Sequence, residues 1–235
     1  MSRVRGRTEV VLDWAATRQY REGDNPARWR GHLSNLLAKG VKNGRIEHYK
    51  ALAYDEIPAF MRDLRALDGV LARSLEFLIL TASRRDEVRL ARSAEIDLAG
   101  RIWLIPAARM KTGRDRRVPL SDRAVEILRS LPRRNVFVFP GRHSAAAPTT
   151  MRWLLTEKMG VPVTVHGFRS TFSDWCAEQT SFPSEVREMA LAHAVGDRVE
   201  AAYRRGDLFE KRRQLAEAWA GFCASGIPHS PITHS

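Results

Sequence analysis

In the stretch LAHAVGDRVEAAYRR, residues 191–205, a phenol is followed directly by two guanidiniums, Tyr203-Arg204-Arg205, and stands ten positions after His193. A tyrosine so placed is either a surface aromatic with solvated neighbours or a nucleophile for a phosphorus centre. Phenol titrates near ~10, so a nucleophilic tyrosine needs neighbouring cations or a base to give up its proton, and arginine supplies charge without titrating. Phosphoryl transfer asks little else of a protein in covalent chemistry. Its sites gather cations around the non-bridging oxygens and add a proton donor for the leaving group.

Three further places offer such groups. Arg84 in LTASRRDEV ends an apolar run with Glu87 three positions on, a spacing that puts both on one helical face and lets the carboxylate orient the guanidinium. On an open surface the same two residues would be an ion pair of little consequence. Lys111 in RMKTGRDRRVPL sits among arginines between two strand-like runs, either as exposed charge or as a flexible ammonium reaching for a nucleic acid backbone. In HGFR, His166 and Arg169 share one face of a helix start, while Phe168, Phe172, Trp175 and Cys176 build an apolar face elsewhere. His166 is then either a satisfied structural histidine or free to point, with Arg169, at an anion.

The elements that must position these groups are mostly helices. Thr8 is expected to cap a first helix, and Asn25-Pro26 to open a second with proline at its first position. AKGVKNGRIEHYK (38–50) is basic, glycine-containing and nearly without apolar periodicity, and reads as a linker with a boundary near residue 50. Beyond it, Asp55 is expected to cap a helix through Leu64, LARSLEFLILTAS (71–83) to form a central helix, and Glu87 to Ala91 a short one. EIDLAGRIWLIP places two β-rich runs around Ala99-Gly100, a hairpin signal, and RRVPL (116–120) is a third short strand. Helices are expected over 121–130, capped by Ser121, and over 149–159, 166–180, 183–192, about 198–204 and 207–222; VFVFP (136–140) is a brief strand or extended piece. The fold class is mainly α with a small antiparallel β-sheet, α+β.

Composition narrows the partners. The net charge is +12 and the sequence pI about 10.6, with half of the excess in residues 1–50, a balance that favours a polyanion. Nucleic acid is the first candidate and an anionic membrane surface the second. No run approaches the ~20 apolar residues of a membrane span, and MSRVRGRTEV lacks the apolar core of a signal peptide, so the expected location is the cytoplasm. Cys176 and Cys223 stand in no CxxC and near no histidine at metal spacing, which predicts two reduced, buried thiols and no zinc or other metal.

The order Arg84, Lys111, His166-Gly167-Phe168-Arg169, Leu191-Ala192-His193 and Tyr203 resembles the catalytic domain of the tyrosine recombinases, the phage integrase family, and especially the integrases of bacterial prophages and genomic islands. The likeness runs from about residue 52 to 222 and includes EIDL, the lysine hairpin, VPLS, VFP, HGFRSTF, ALAH and AAYRR. It implies that Tyr203 attacks a DNA phosphodiester to give a 3′-phosphotyrosine link and a 5′-hydroxyl, with no metal, cofactor or external energy. Arg84, Arg169 and His193 would contact the scissile phosphate, His166 would help hold it and assist proton transfer at Tyr203, Lys111 would protonate the departing oxygen, and Glu87 would support the arginines. Lys39, Lys42, Arg45, Arg114 and Arg204 are further candidates for DNA contacts. Implied partners are double-stranded DNA with attachment sites, four protomers on two duplexes, and accessory DNA-bending or directionality proteins; the location would be a bacterial cytoplasm, on the nucleoid when bound.

Two departures from the family pattern are visible. Arg85-Asp86 stands where a small residue and glycine are frequent, and Ser93 where a tryptophan is frequent before EIDL; both are expected to alter packing near Arg84 and lower stability without removing a reactive group. Residues 1–50 are expected to be a remnant of the helical core-binding domain plus linker, 51–223 the catalytic domain, and 224–235 a disordered tail. With so little of a core-binding domain, DNA binding would run mainly through phosphates, with steep salt dependence and poor site selectivity. The alternatives are a truncated, non-catalytic DNA-binding relic, or a type IB topoisomerase, which shares the chemistry.

Overall fold

The computed structural model describes residues 2–37, 50–110, 113–132, 136–141, 144–193 and 206–225. They divide into two units, Met1–Glu47 and His48–Ser235. The expected linker, the helix at 198–204 and most of the tail lie outside the described residues.

In the first unit, helix α1 runs over Ser2–Thr17. Thr8 does not cap it: the helix begins six residues earlier, and the Thr8 hydroxyl donates back to the Val4 carbonyl at 3.0 Å. Asn25 does not open a regular helix either. Its buried side chain donates to Glu9 O at 2.8 Å and Asp13 Oδ1 at 2.7 Å and accepts from Ala27 N at 2.9 Å, which folds 25–27 into a turn on α1. The backbone leaves helical geometry again at Arg30 and at Gly31, where φ is +73°, so only the short α2, Ser34–Leu36, is regular.

The second unit is a helical layer around α4 (Val70–Thr81) with a small sheet at its edge. A 3₁₀ turn at Tyr54–Glu56 leads into α3 (Ile57–Ala66). Asp55 is inside that turn rather than its cap, because Pro58 at the start of α3 sets the helical φ and Glu56 takes the Ala53 amide at 3.2 Å. Helix α4 is apolar because it is central: Leu75, Phe77, Leu78, Ile79 and Leu80 are all buried. It stops at Ala82, a left-handed residue with φ +46°. The chain then turns through Arg84 into α5 (Arg85–Arg89).

Strands β1 (Ile96–Asp97), β2 (Ile102–Ile105) and β3 (Arg116–Pro119) form an antiparallel meander in the order β1-β2-β3. Asp97 Oδ1 accepts the Ala99 and Gly100 amides at 3.0 and 2.9 Å, which closes the first turn. Trp103 pairs with Ile96 and Val118 and faces inward, its ring 5.5 Å from that of Phe77. Alternation on β3 sends Val118 and Arg116 to the core and Arg117 to solvent. Segment 136–140 is extended, held by single bridges from Phe137 to Arg92 and from Pro140 to Ala145 rather than as a strand of the sheet.

Helix α6 (Asp122–Ser130) is capped by Ser121, whose hydroxyl accepts from Ala124 N. Helix α7 (Thr150–Trp153) continues as a wider π-helical turn through Lys158. Helices α8 (Gly167–Gln179), α9 (Ser184–Ala190) and α10 (Phe209–Ala224) complete the unit. Trp219 of α10 is fully buried, 4.8 Å ring to ring from Trp175 of α8, and donates Nε1–H to Ile79 O at 2.9 Å. Cys176 and Cys223 are buried thiols in these packed faces, and desolvation pushes Cys176 up to about 12.

Candidate active site

Five of the residues singled out by type and spacing meet where the α4–α5 corner, the start of α8 and the end of α9 converge. Arg84 and Glu87 form the first pair. Glu87 Oε1 accepts from Arg84 Nη1 at 2.8 Å and Oε2 from the Arg84 amide at 2.9 Å, so one carboxylate caps α5 and aims the guanidinium. Glu87 is 7% exposed and Arg84 35%, so this is no open-surface ion pair.

Arg169 is not free to point outward, as its helix spacing suggested. It is buried, and its guanidinium donates to Ala82 O through Nη1 and to Leu191 O through Nη2 at 2.5 Å. The same Nη2 lies 3.3 Å from His193 Nε2. His193 follows Ala192, whose φ is +50°, and its Nδ1 lies 2.8 Å from Glu188 Oε2. These contacts fit one neutral tautomer: Nδ1–H donates to Glu188, and bare Nε2 accepts from Arg169.

His166 sits just before α8 and, with Arg84, Glu87 and Arg169, lines an open cavity of about 980 Å³. Gly167 beside it permits a close approach: a Cβ there would fall 2.4 Å from the Lys50 carbonyl oxygen. Partial desolvation, then the charges of Arg169 and Arg84 and the neighbouring His193, hold the His166 imidazole below its ordinary pKa. Burial tends to raise the Glu87 carboxyl, but Arg116 and Arg84 outweigh it and hold the group below the usual range. Burial, then Arg84 and Arg116, brings Arg169 down to about 10, still a cation at neutral pH.

Lys111, Tyr203, Arg204, Lys39, Lys42 and Arg45 lie outside the described residues. Arg114 is exposed in the loop after β2. The base of that loop is fixed: Asp115 Oδ1 accepts the Ala107 amide at 2.7 Å, and Arg109 Nη2 donates to Glu87 O at 2.6 Å. The departures at Arg85, Asp86 and Ser93 do not disturb the packing at Arg84. Arg85 and Asp86 are exposed and paired with each other, and Ser93 is exposed, its amide on Val136 O. Ser93 instead borders a separate hollow of about 230 Å³ lined by Ile96, Leu98, Leu128 and Leu131.

Sequence reasoning passed over Arg116 and Arg109, which both bond to Glu87. The β-alternation of RRVPL was the available signal for Arg116, since it shares a face with Val118. For Arg109 there was none. Among the described residues no group of three or more His, Cys, Asp or Glu side chains is placed to hold a metal ion, and no helix is long and apolar enough to cross a membrane.

The sequence profile of the phage integrase family matches residues 50–207. The chain belongs to the phage integrase family. It is 34% identical to the prophage integrase IntA of Escherichia coli K12 over 193 residues, covering 78% of this chain and 46% of that protein. It is 31% identical to the integrase of Shigella phage Sf6, covering 78% of this chain and 50% of that one. The chain thus spans about half the length of the curated relatives it matches. Among solved structures, the integrase from mycobacterium phage Brujita matches with a TM-score of 0.56 at 20% identity, over 91% of this chain and 69% of that one. A lambda integrase dimer bound to a COC′ core site matches with a TM-score of 0.57 at 16% identity, over 83% and 72%. At these identities the likeness is one of fold: a phage integrase catalytic fold, mostly helical with a small antiparallel sheet.

Proposed function

We propose that the chain cuts and rejoins DNA strands in site-specific recombination through a 3′-phosphotyrosine intermediate. The observation that carries the reading is the convergence of Arg84, bonded to the Ala192 carbonyl, and Arg169, bonded to Leu191 O and His193, with both arginines lining one cavity with His166, in a chain of the phage integrase family. Double-stranded DNA is the substrate, a reading supported by the +12 charge and by the core site bound to lambda integrase.

The Tyr203 oxygen attacks phosphorus while its proton passes toward His166, which is uncharged and able to accept it at neutral pH because its pKa is lowered. Negative charge grows on the non-bridging oxygens and is met by the guanidiniums of Arg84 and Arg169, with the His193 ring, which accepts from Arg169, beside them. Each preorganised donor of this kind is worth ~10²–10³ in rate. The bond to the 5′ oxygen breaks, and Lys111 gives that oxygen a proton. The phosphotyrosine keeps the bond energy, so a 5′-hydroxyl from another strand reverses the step and reseals the DNA. Lys39, Lys42, Arg45, Arg114 and Arg204 contact the duplex phosphates, and four protomers assemble on two duplexes with accessory DNA-bending or directionality proteins.

The test is a duplex nicked beside the cleavage site, which loses a short fragment after attack and traps the adduct. A covalent protein–DNA product with the wild-type chain and none with Tyr203→Phe is the expected result. No adduct with either protein refutes the reading and leaves a DNA-binding module.

A further inference from the structure

Three guanidiniums from three different elements seat three consecutive carbonyls at the end of α9. Arg116 of β3 donates Nη2–H to Ala190 O at 2.5 Å, Arg169 of α8 donates to Leu191 O at 2.5 Å, and Arg84 at the α4–α5 corner donates to Ala192 O at 3.0 Å. The last carbonyls of a helix have no partner within it and carry its negative partial charge, so cations satisfy them well. His193 is the next residue. Arg84 and Arg169 line the cavity; Arg116 does not.

Arg116 is an expensive choice for a purely structural position. It is 8% exposed, it lines a small hollow together with Leu80, Val118 and Phe172, and its Nε is buried with no hydrogen-bond partner. An apolar side chain of similar size is often as stable or more stable than a buried ion pair. What an apolar residue cannot do is hold two acceptors at a fixed separation. The Arg116 fork does: Nη1 takes Glu87 Oε2 at 2.6 Å while Nη2 takes Ala190 O.

Resting on the recombinase reading above, we infer that Arg116 is a positioning residue for strand cleavage, locking the α9 end and therefore His193 in register with the Arg84–Glu87 pair. It touches no substrate. It sets the spacing between Arg84, at the entry to α5, and His193, just past the end of α9. A shift of about 1 Å in such a constellation costs on the order of a hundredfold in rate.

The experiment compares the full chain with Arg116→Met and Arg116→Lys on the nicked duplex, reading the first-order rate of adduct formation at saturating DNA, the DNA dissociation constant and the pH dependence of the rate. Thermal unfolding first establishes that each variant is folded at the assay temperature. Arg116→Met is expected to cleave about ten- to a hundredfold more slowly with less than about a threefold change in DNA affinity. A second acid limb, below the one set by His166 and marking protonation of Glu87, should also move to higher pH, because Glu87 keeps Arg84 beside its carboxylate, Arg109 on its carbonyl and Arg169 nearby, but loses Arg116. Arg116→Lys restores the charge and the pH profile but, with one donor centre on a shorter reach, recovers only part of the rate. Should Arg116→Met fail to fold, the Lys variant carries the test alone. A folded variant with wild-type rate and pH profile overturns the inference.

If the wild-type chain itself forms no adduct, the recombinase reading fails separately, and inorganic phosphate takes the place of DNA. Titrated against the His166 and His193 ring signals, it should bind several-fold more weakly to Arg116→Lys than to wild type. Equal affinity overturns the positioning role.

Discussion

Arg169 and His193 share a hydrogen bond of 3.3 Å between Nη2 and Nε2, and the other ring nitrogen of His193 is held by Glu188 at 2.8 Å. The imidazole is therefore oriented from both sides, with its proton on the Glu188 side. Glu188→Ala removes one charge-assisted hydrogen bond of about 1.5–3 kcal/mol and frees the ring to change tautomer. Since ~1.4 kcal/mol is a factor of ten, adduct formation should slow by about tenfold or more. Thermal unfolding should move by less than that figure implies, because His193 is half exposed and water takes the place of Glu188. An unchanged rate would show that the ring needs no such orientation.

The Glu87 carboxylate joins Arg84 and Arg116, and removing it strands the buried Arg116 guanidinium. Glu87→Ala is expected to cost about 3–5 kcal/mol, read by urea unfolding. The carboxyl is held below its ordinary pKa, so its stabilisation is fully present above the unfolded carboxyl's pKa and is lost as pH falls through the lower folded value. Glu87→Gln should be less stable at neutral pH and show a flatter decline toward acid. An acid decline as steep as wild type would contradict this.

His166 has its pKa pushed down by desolvation and by Arg169 and Arg84. A nuclear magnetic resonance titration of the ring should give a midpoint below the ordinary ~6.5 of histidine. The same sign holds for stability, which is complete above the unfolded pKa and declines as pH drops from there toward the folded one. Arg84→Gln should raise the midpoint, and a midpoint that stays put would remove Arg84 as a cause.

Gly167→Ala places a methyl group 2.4 Å from Lys50 O and 2.9 Å from Ala51 Cα, both backbone atoms that cannot swing aside. The expected cost is about 1–3 kcal/mol in denaturant unfolding, with a fall in cleavage rate because His166 is the adjoining residue.

Ser93→Trp fills the hollow beside Ile96, Leu98 and Leu131. A gain of about 0.5–2 kcal/mol in unfolding free energy is expected, as for other cavity-filling changes, with cleavage unaltered. A loss of stability would mean that the hollow cannot accept an indole.

Much of the framework was legible. The apolar run of α4, the alternation of β2 and β3, and Ser121 before α6 each state their structure locally, because a single period or cap decides them. Thr8, Asn25 and Asp55 misled for one shared reason. Each is a residue type that caps helices, yet each is used otherwise: inside a helix, as the staple of a turn, and within a 3₁₀ entry. The pair Arg84 and Glu87 could be read from spacing alone. The seats of Arg84, Arg116 and Arg169 could not, because backbone carbonyls accept without any side-chain signature. Nor did RRVPL announce a buried guanidinium, since two arginines in a row read as exposed charge until one strand face is known to be core.

The three seated carbonyls belong to Ala190, the last residue of α9, and to Leu191 and Ala192 just beyond it, so their directions follow the phase of a helix that turns about 100° per residue. Deleting or inserting one residue within α9 would rotate every oxygen away from its guanidinium at once and swing His193 with them. The helix should therefore tolerate many substitutions on its outer side but no change of length, and an indel scan through 184–190 should abolish cleavage where point changes on the exposed side leave it intact.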